Sequence, residues 1–458
     1  MNLAALRAVP GLGKGTAVDT WGSAWLLCAA ALVIGVGSAS PEPSVATLIA
    51  ILACALTGVA VLGPGALLAR NIRRRSVVIV LVVAVVLELF ANVITPPVAD
   101  ATYLLALVAA GAAGITAMLI GGRWSIALLV IALVAQFGLA SWMIASLEVP
   151  DIDVHMFQQE GAAALLSGEN PYSLRYANTA GYGTGIYAPE LQIGDRLAFG
   201  FPYPPFSLLM ALPGYLLAGD YRYGAAGAVV LTSLIISRLR PGSVATGAAL
   251  LFAFSPLTFR VLYYGWTEPF VGAWLGITLL AATRLAAGTP IALGLLIAVK
   301  QYVLPVVLLA PLLLADFTRR VSWQRLTLVA VATASATVLP FLVWHPGDLL
   351  FSVVAVQAIQ PLRLDSASIP GGLARMGLAV PPQWLAFVIA GLATTLLAFR
   401  APRTPAGFSA AVAFLFILFF LFSKQAFGNY YFFPLAALAC AVALAAPHDP
   451  EIVSGNAS

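Results

Sequence analysis

The chain has 458 residues, 61% of them hydrophobic and only 9% charged, against about 25% charged in soluble domains. No soluble core hides that much apolar surface, so a soluble globular protein is excluded and lipid is the main solvent. The formal charge of +5 is small and scattered, which excludes a nucleic-acid surface and fits loop charges that orient a chain in a bilayer. Cys28, Cys54 and Cys440 each lie in an apolar run, with neither a disulfide framework nor metal-ligand spacing.

Arg7 and Lys14 precede the first apolar run, which begins at Trp21. Ser38-Ala39-Ser40 imitates a signal-peptidase site, but more than a dozen apolar runs follow, so a signal anchor is expected. At roughly 20 residues per crossing, spans fall near 21–39, 44–69, 76–95, 101–120 and 124–147. A polar, aromatic stretch runs from about 148 to 202. Further spans fall near 221–238, 243–259, 268–286, 289–302, 303–318, 326–344, 382–399, 407–423 and 429–446. The expected fold is thus an all-α polytopic membrane protein of about fourteen transmembrane helices. The expected divisions are an N-terminal membrane module (1–147), a main module (148–446) and a cytoplasmic tail (447–458).

The run 204–219 is apolar but short, and begins Pro204-Pro205. If it lies along the interface, the basic clusters Arg70/Arg73/Arg74/Arg75, Arg238/Arg240, Arg319/Arg320/Arg325 and Arg400/Arg403 all share the side of the N-terminus. Lys and Arg favour cytoplasmic loops, so this reading places both termini inside and 148–220 outside. Asp151, Asp153, His155, Arg260, Glu268, Lys300, Arg363, Asp365 and Lys424 then fall on the outer face, where loops on a rigid scaffold carry function.

Five stretches carry chemistry. Asp151-Ile-Asp-Val-His155 opens the outer loop just after a span and continues as a short amphipathic helix to Gly168-Glu-Asn-Pro-Tyr172. Its carboxylates suit a general base or a cation ligand, though from spacing alone a helix N-cap is the preferred reading. Phe201-Pro-Tyr-Pro-Pro-Phe206 reads by itself as an interfacial anchor. Tyr263-Tyr-Gly-Trp-Thr-Glu268 puts an acid at the outer start of a span, where ligand binding and capping are equally good readings. Lys300-Gln301-Tyr302 sets a cation near membrane depth, either snorkelling or holding a lipid-linked phosphate, the second reading being preferred. Ser423-Lys-Gln-Ala-Phe-Gly-Asn-Tyr-Tyr431 repeats the Lys-Gln pair at another outer boundary.

Other features are set aside. Gly11–Thr16 resembles a phosphate loop but follows no strand. Gly272 and Gly276 have helix-packing spacing. Asn456-Ala-Ser458 is a sequon in the tail, and His345 and His448 stand alone, so no metal set is expected. Glu88 is an intramembrane acid, read either as functional or as hydrogen-bonded with Asn92.

Taken in order, these stretches resemble membrane glycosyltransferases of the GT-C class, closest to the polyprenyl-phosphomannose-dependent family 87 of actinobacterial envelope synthesis. The resemblance rests on Asp151–His155 with Gly168–Tyr172, Tyr203-Pro-Pro205, Gly265–Glu268 and Lys300–Tyr302, and covers about 148 to 446. In that family the acidic loop usually follows the first span, a tyrosine stands where His155 does, and Gly-Gln stands where Gly265-Trp266 does. The resemblance implies a GT-C-like bundle with interfacial helices in its outer loop. It implies inverting transfer of a sugar, mannose in the family, from a polyprenyl-phosphate donor to a lipid or glycan acceptor on the non-cytoplasmic face of the cell membrane, with no cofactor. Asp151 is the implied base, and Asp153 and His155 orient the acceptor or the base. Arg260, Lys300, Arg363 and Lys424 stabilise the phosphate, Tyr203, Tyr264 and Tyr302 stack on sugars, and Glu268 and Gln301 complete the binding set. The rival readings are a transporter or flippase of lipid-linked sugars, or a non-catalytic membrane partner in envelope synthesis. The enzyme reading requires Asp151, Glu268, Lys300 and Lys424 to line one outer cavity open to lipid, and falls if they point apart.

Overall fold

A computed structural model describes residues 19–38, 42–62, 74–120, 122–313 and 322–445. The phosphate-loop-like stretch 11–16, Arg70, Arg73, Arg319, Arg320 and the tail 447–458 lie outside these residues. The protein is a helical membrane protein. Among the described residues, seven segments are long and apolar enough to cross a bilayer: α2 (Pro43–Leu62), α3 (Arg74–Ile94), α4 (Ala101–Ile120), α5 (Gly122–Ser146), α13 (Trp323–Trp344), α18 (Pro405–Phe422) and Gly428–Ala445, which contains α19 (Phe432–Ala445). An eighth results if α9 (Ser243–Phe254) and α10 (Pro256–Tyr264), bent by 44°, are one span.

A helix stands on every apolar run read from the sequence, yet only half of them meet the length and hydropathy of a crossing. The reasons are local. α8 (Arg222–Leu239) and α11 (Glu268–Arg284) carry charges at their ends. α12 (Thr289–Val299) has 11 residues. α1 (Asp19–Ser38) is a helix of 20 residues. The run after Lys300 is a 3₁₀ helix, Gln301–Leu313, interrupted by Pro305 and Pro311. At about 2.0 Å per residue it still extends ~26 Å, close to a bilayer core of ~30 Å.

The bend between α9 and α10 has an identifiable cause. Pro256 lacks the N–H that would continue the helical ladder. The Phe252 carbonyl it would leave bare accepts from the Thr258 hydroxyl at 2.6 Å, and the Phe254 carbonyl, out of the ladder at the bend, accepts from Asn92 Nδ2 at 2.8 Å, across from α3. Asn92 also donates to the Glu88 carbonyl at 2.9 Å, so its partners are backbone oxygens and the Glu88 carboxylate plays no part.

One apolar core joins residues from α1 through α19, so the first five helices pack directly on the later ones: α1 on α2 and α19, α3 and α4 on α9, and α5 on α8. Gly428–Ala445 is the central helix, 89% buried, whereas α13 is peripheral at 17%. Glycines set the close approaches. A Cβ on Gly294 would stand 2.5 Å from the Ala330 carbonyl oxygen, where α12 meets α13, and Gly276 abuts Ile235 of α8.

A second core sits beyond the end of α5. It gathers Phe157 and Ala162 of α6 (Asp153–Leu166), Tyr172, Tyr176, Tyr187, Leu191, Leu197, Phe199 and Phe201 of the long loop, and Phe341, Leu349 and Val356 from α13 through α15 (Val356–Ile359). The loop is tied by a two-residue antiparallel pair, β1 (Gln192–Ile193) and β2 (Arg196–Leu197). Gly200 sits so tightly under the Tyr172 backbone that no side chain fits, and its N–H donates to Ser352 Oγ at 3.0 Å. α7 (Pro205–Ala218) links the two cores. Ser207 in its first turn accepts from Gln158, and Gly219 just past its end accepts from Gln159. Both ends of a helix ~21 Å long are thus held by adjacent residues of α6.

Candidate functional site

Where the two cores meet, residues from four distant stretches converge on one buried ion pair. Glu268 opens α11 and Lys300 closes α12. Lys300 Nζ lies 2.7 Å from Glu268 Oε1, and Asn429 Nδ2 donates to the same oxygen at 3.1 Å. Both charged residues are buried, Glu268 completely. Glu268 is therefore no helix cap, since the cap position is Thr267 and the carboxylate is turned to the lysine. Oε2 of Glu268 accepts no hydrogen bond. The ammonium is walled by aromatics: the Tyr203 ring centroid is 5.2 Å from Nζ and that of Tyr302 is 5.6 Å. Tyr430 packs edge-on to Tyr302, and Gln301 donates to the Pro202 carbonyl at 3.0 Å, fastening the start of the 3₁₀ helix to the loop before α7.

The acidic end of α6 faces the same cluster. Ile152 occupies the cap position, so neither aspartate is the N-cap that the spacing allowed. Asp153 Oδ1 accepts the Val154 N–H at 2.7 Å, and its Oδ2 accepts from the Tyr187 hydroxyl. Asp151 is exposed and makes no hydrogen bond or ion pair among the described residues. Enclosure, and then Asp153, Tyr430, Glu268 and Tyr221 around it, push the Tyr203 hydroxyl well above the ordinary tyrosine range. Burial likewise raises the Tyr187 hydroxyl, reinforced by Asp153 and Tyr203 and opposed by Arg363, which places Arg363 in the same electrostatic neighbourhood.

A second charged group lies beside the first. Arg222 is almost fully buried and grips Asp220 Oδ2 through Nε (2.9 Å) and Nη2 (2.7 Å), with Nη1 on the Tyr263 carbonyl at 3.0 Å. His155 Nε2 stands 3.7 Å from the same carboxylate oxygen, at ion-pair rather than hydrogen-bond distance. Burial by itself would raise Asp220, but His155 and Arg222 outweigh it and hold the carboxyl well below the usual range. Tyr221, between them, hydrogen bonds the Gly265 carbonyl and stacks near His155.

The remaining cations are placed differently. Arg363 forms a two-pronged pair with Asp365 (2.9 and 2.7 Å) and lies over Phe427. Its backbone N–H donates to the Lys424 carbonyl, and Ala367 N–H to that of Ala426, which latches the loop after α15 to the loop after α18. Lys424 Nζ donates to the Ala358 carbonyl at 3.0 Å, and partial burial lowers its ammonium. Arg260 turns away, bonding the Gly37 carbonyl at the end of α1 and lying over Tyr264, which itself stacks on Trp266.

Glu268, Lys300, Tyr203, Tyr302 and Asn429 are thus brought together, with Gln301, Asp153, His155 and Arg363 at the edge; Lys424, Arg260, Tyr264 and Asp151 lie outside this contact set, so Asp151 and Lys424 are not seen to join Glu268 and Lys300 as the enzyme reading asks. Sequence reasoning missed Asp220, Arg222, Tyr187 and Tyr221. Opposite charges at 220 and 222 flanking a tyrosine at the start of a span are the signal that was available. Nothing marked Tyr187 among the many loop aromatics. Among the described residues, no group of three or more His, Cys, Asp and Glu is arranged to hold a metal ion. Compared with known proteins, the chain matches no family model, no curated protein and no solved structure.

Proposed function

We propose that the protein is a membrane glycosyltransferase of GT-C-like build, moving a sugar, mannose by resemblance, from a polyprenyl-phosphate donor to a lipid or glycan acceptor. One observation carries the reading: the separate stretches Tyr203-Pro-Pro205, Glu268, Lys300–Tyr302 and Asn429-Tyr430 meet around a single buried Lys–Glu pair, with Asp153 in the electrostatic neighbourhood of Tyr203. In this reading all fourteen apolar helices cross a cell membrane, and α7 lies along its outer, non-cytoplasmic surface. The hold of Gln158 and Gln159 on both ends of α7 supports that arrangement.

The chemistry follows from which groups are already committed. Both oxygens of Asp153 accept hydrogen bonds, while those of Asp151 accept none. Asp151 is therefore the base that takes the acceptor hydroxyl's proton as that oxygen attacks the anomeric carbon. The polyprenyl phosphate departs from the opposite face, so the anomeric configuration inverts. Lys300 is neutralised by Glu268 and serves to set that carboxylate and the tyrosine walls. Arg363 is paired with Asp365, so Lys424, whose ammonium meets only the Ala358 carbonyl among the described residues, is the cation left to meet the leaving phosphate, matched to its developing charge.

The test is transfer in reconstituted vesicles. Purified protein supplied with polyprenyl-phosphate mannose and octyl α-D-mannopyranoside should release polyprenyl phosphate in step with an inverted disaccharide. Absence of transfer with this and other polyprenyl-phosphate sugars would contradict the proposal.

A further inference from the structure

The loop between Asn178 and Tyr187 is unlike any other part of the second core. Its middle, Thr179–Gly185, is an exposed arch carrying Tyr182, which is 68% exposed. Gly181, Gly183 and Gly185 all adopt left-handed backbone, at φ +82°, +75° and +78°. A Cβ on Gly183 or Gly185 would meet nothing within 4 Å, so the arch is shaped by its backbone and not by packing.

Within it the Gly181 N–H donates to the Asn178 carbonyl and the Thr184 hydroxyl to that of Gly181, and the side chain that fastens it to the rest of the loop is Gln192. Gln192 Oε1 accepts from Asn178 Nδ2 (3.1 Å) and the Gly183 N–H (3.2 Å), while its Nε2 donates to the Tyr187 carbonyl (2.9 Å). Both legs of the arch therefore close on one side chain. The second leg ends in Tyr187, whose ring is buried against Phe199 and whose hydroxyl reaches out of that core to Asp153. A lightly held arch with an exposed aromatic thus ends on the carboxylate beside the proposed base.

Resting on the sugar-transfer reading, we infer that this arch is a lid over the acceptor side of the site, with Tyr182 as a stacking face for an acceptor sugar and Tyr187 as a positioning residue that relays lid closure to Asp153. An aromatic face on a loop that closes by backbone rotation suits a sugar ring, whose apolar C–H face packs on it. The Tyr187 hydroxyl links the end of the arch to α6, and a Tyr→Phe change removes that bond while keeping the ring that meets Phe199.

The experiment uses full-length protein in lipid nanodiscs and three forms: wild type, Tyr187→Phe and Tyr182→Ala. Amide hydrogen exchange of 179–186 is followed with and without octyl α-D-mannopyranoside, and transfer kinetics are measured alongside. Wild type should become protected in the arch on adding the mannoside, and Tyr182→Ala should not. Tyr182→Ala should raise the acceptor KM about tenfold, the scale of a lost aromatic face. Tyr187→Phe should lower kcat about tenfold with an unchanged donor KM, and should speed exchange in the arch. A purely structural tyrosine would instead lower the melting temperature with both kinetic constants kept. Wild-type kcat in Tyr187→Phe, or an arch indifferent to the mannoside in a protein that does transfer sugar, would overturn the inference. Mannoside protection of the arch in a protein that transfers no sugar would instead sink the transfer reading and leave the arch as a sugar-binding element.

Discussion

Lys300 Nζ sits 2.7 Å from Glu268 Oε1, with both side chains out of solvent and Asn429 completing the contact. Two ions buried this way are worth little as a pair relative to apolar residues, but removing one strands the other. Lys300→Met and Glu268→Leu should each destabilise the protein by roughly 3–5 kcal/mol, and the double change should recover most of that loss. Thermal unfolding of the three variants in detergent checks this. Additive losses would show that the pair is not the unit that matters.

Asp220 gives a pH prediction with a definite sign. Its carboxyl is held well below the usual range in the folded protein, with His155 and Arg222 overcoming burial. A depressed carboxylate contributes stability above its unfolded pKa of about 3.9, and that contribution is lost as pH falls from there towards the folded value. Asp220→Asn should therefore lower the melting temperature markedly at pH 7, where Arg222 is left buried and unpaired. The gap from wild type should narrow as pH falls below about 4. A gap that stays constant from pH 7 to pH 3 would refute the assignment.

Asn92 spans from α3 to the bare carbonyl at the α9–α10 bend. Asn92→Leu keeps the volume and removes the donor, leaving the Phe254 oxygen buried without a partner. The expected loss is about 1–3 kcal/mol, read as a lower melting temperature in detergent. A melting temperature equal to wild type would show that the bend needs no such support.

The apolar runs were legible because lipid demands them, and a helix stands on each. The bend at Ser255-Pro256 was not, because 243–259 reads as one uninterrupted apolar stretch. Nor was the 3₁₀ winding after Lys300, although Pro305 and Pro311 hint at it. For the site, residue types at span ends placed Glu268 and Lys300 on one face, but hydropathy does not say which acid meets which base. The buried bond that unites them joins residues 32 apart in sequence. Asp220 and Arg222 offer only opposite charges flanking a tyrosine, and it is the fold that buries Arg222 against the Asp220 carboxylate. Lys300 was read as a phosphate ligand because its carboxylate partner lies on another helix. The roles of Asp151 and Asp153 separate only once Tyr187, 34 residues from Asp153, is seen to occupy the latter.

The most direct measurement compares Asp151→Asn and Asp153→Asn in reconstituted vesicles supplied with polyprenyl-phosphate mannose and octyl α-D-mannopyranoside. With Asp151 as base, Asp151→Asn should lower transfer by about a hundredfold or more while the protein folds and binds donor as wild type does. Asp153→Asn should retain more activity than that. Near-normal transfer by Asp151→Asn would contradict the assignment of the base.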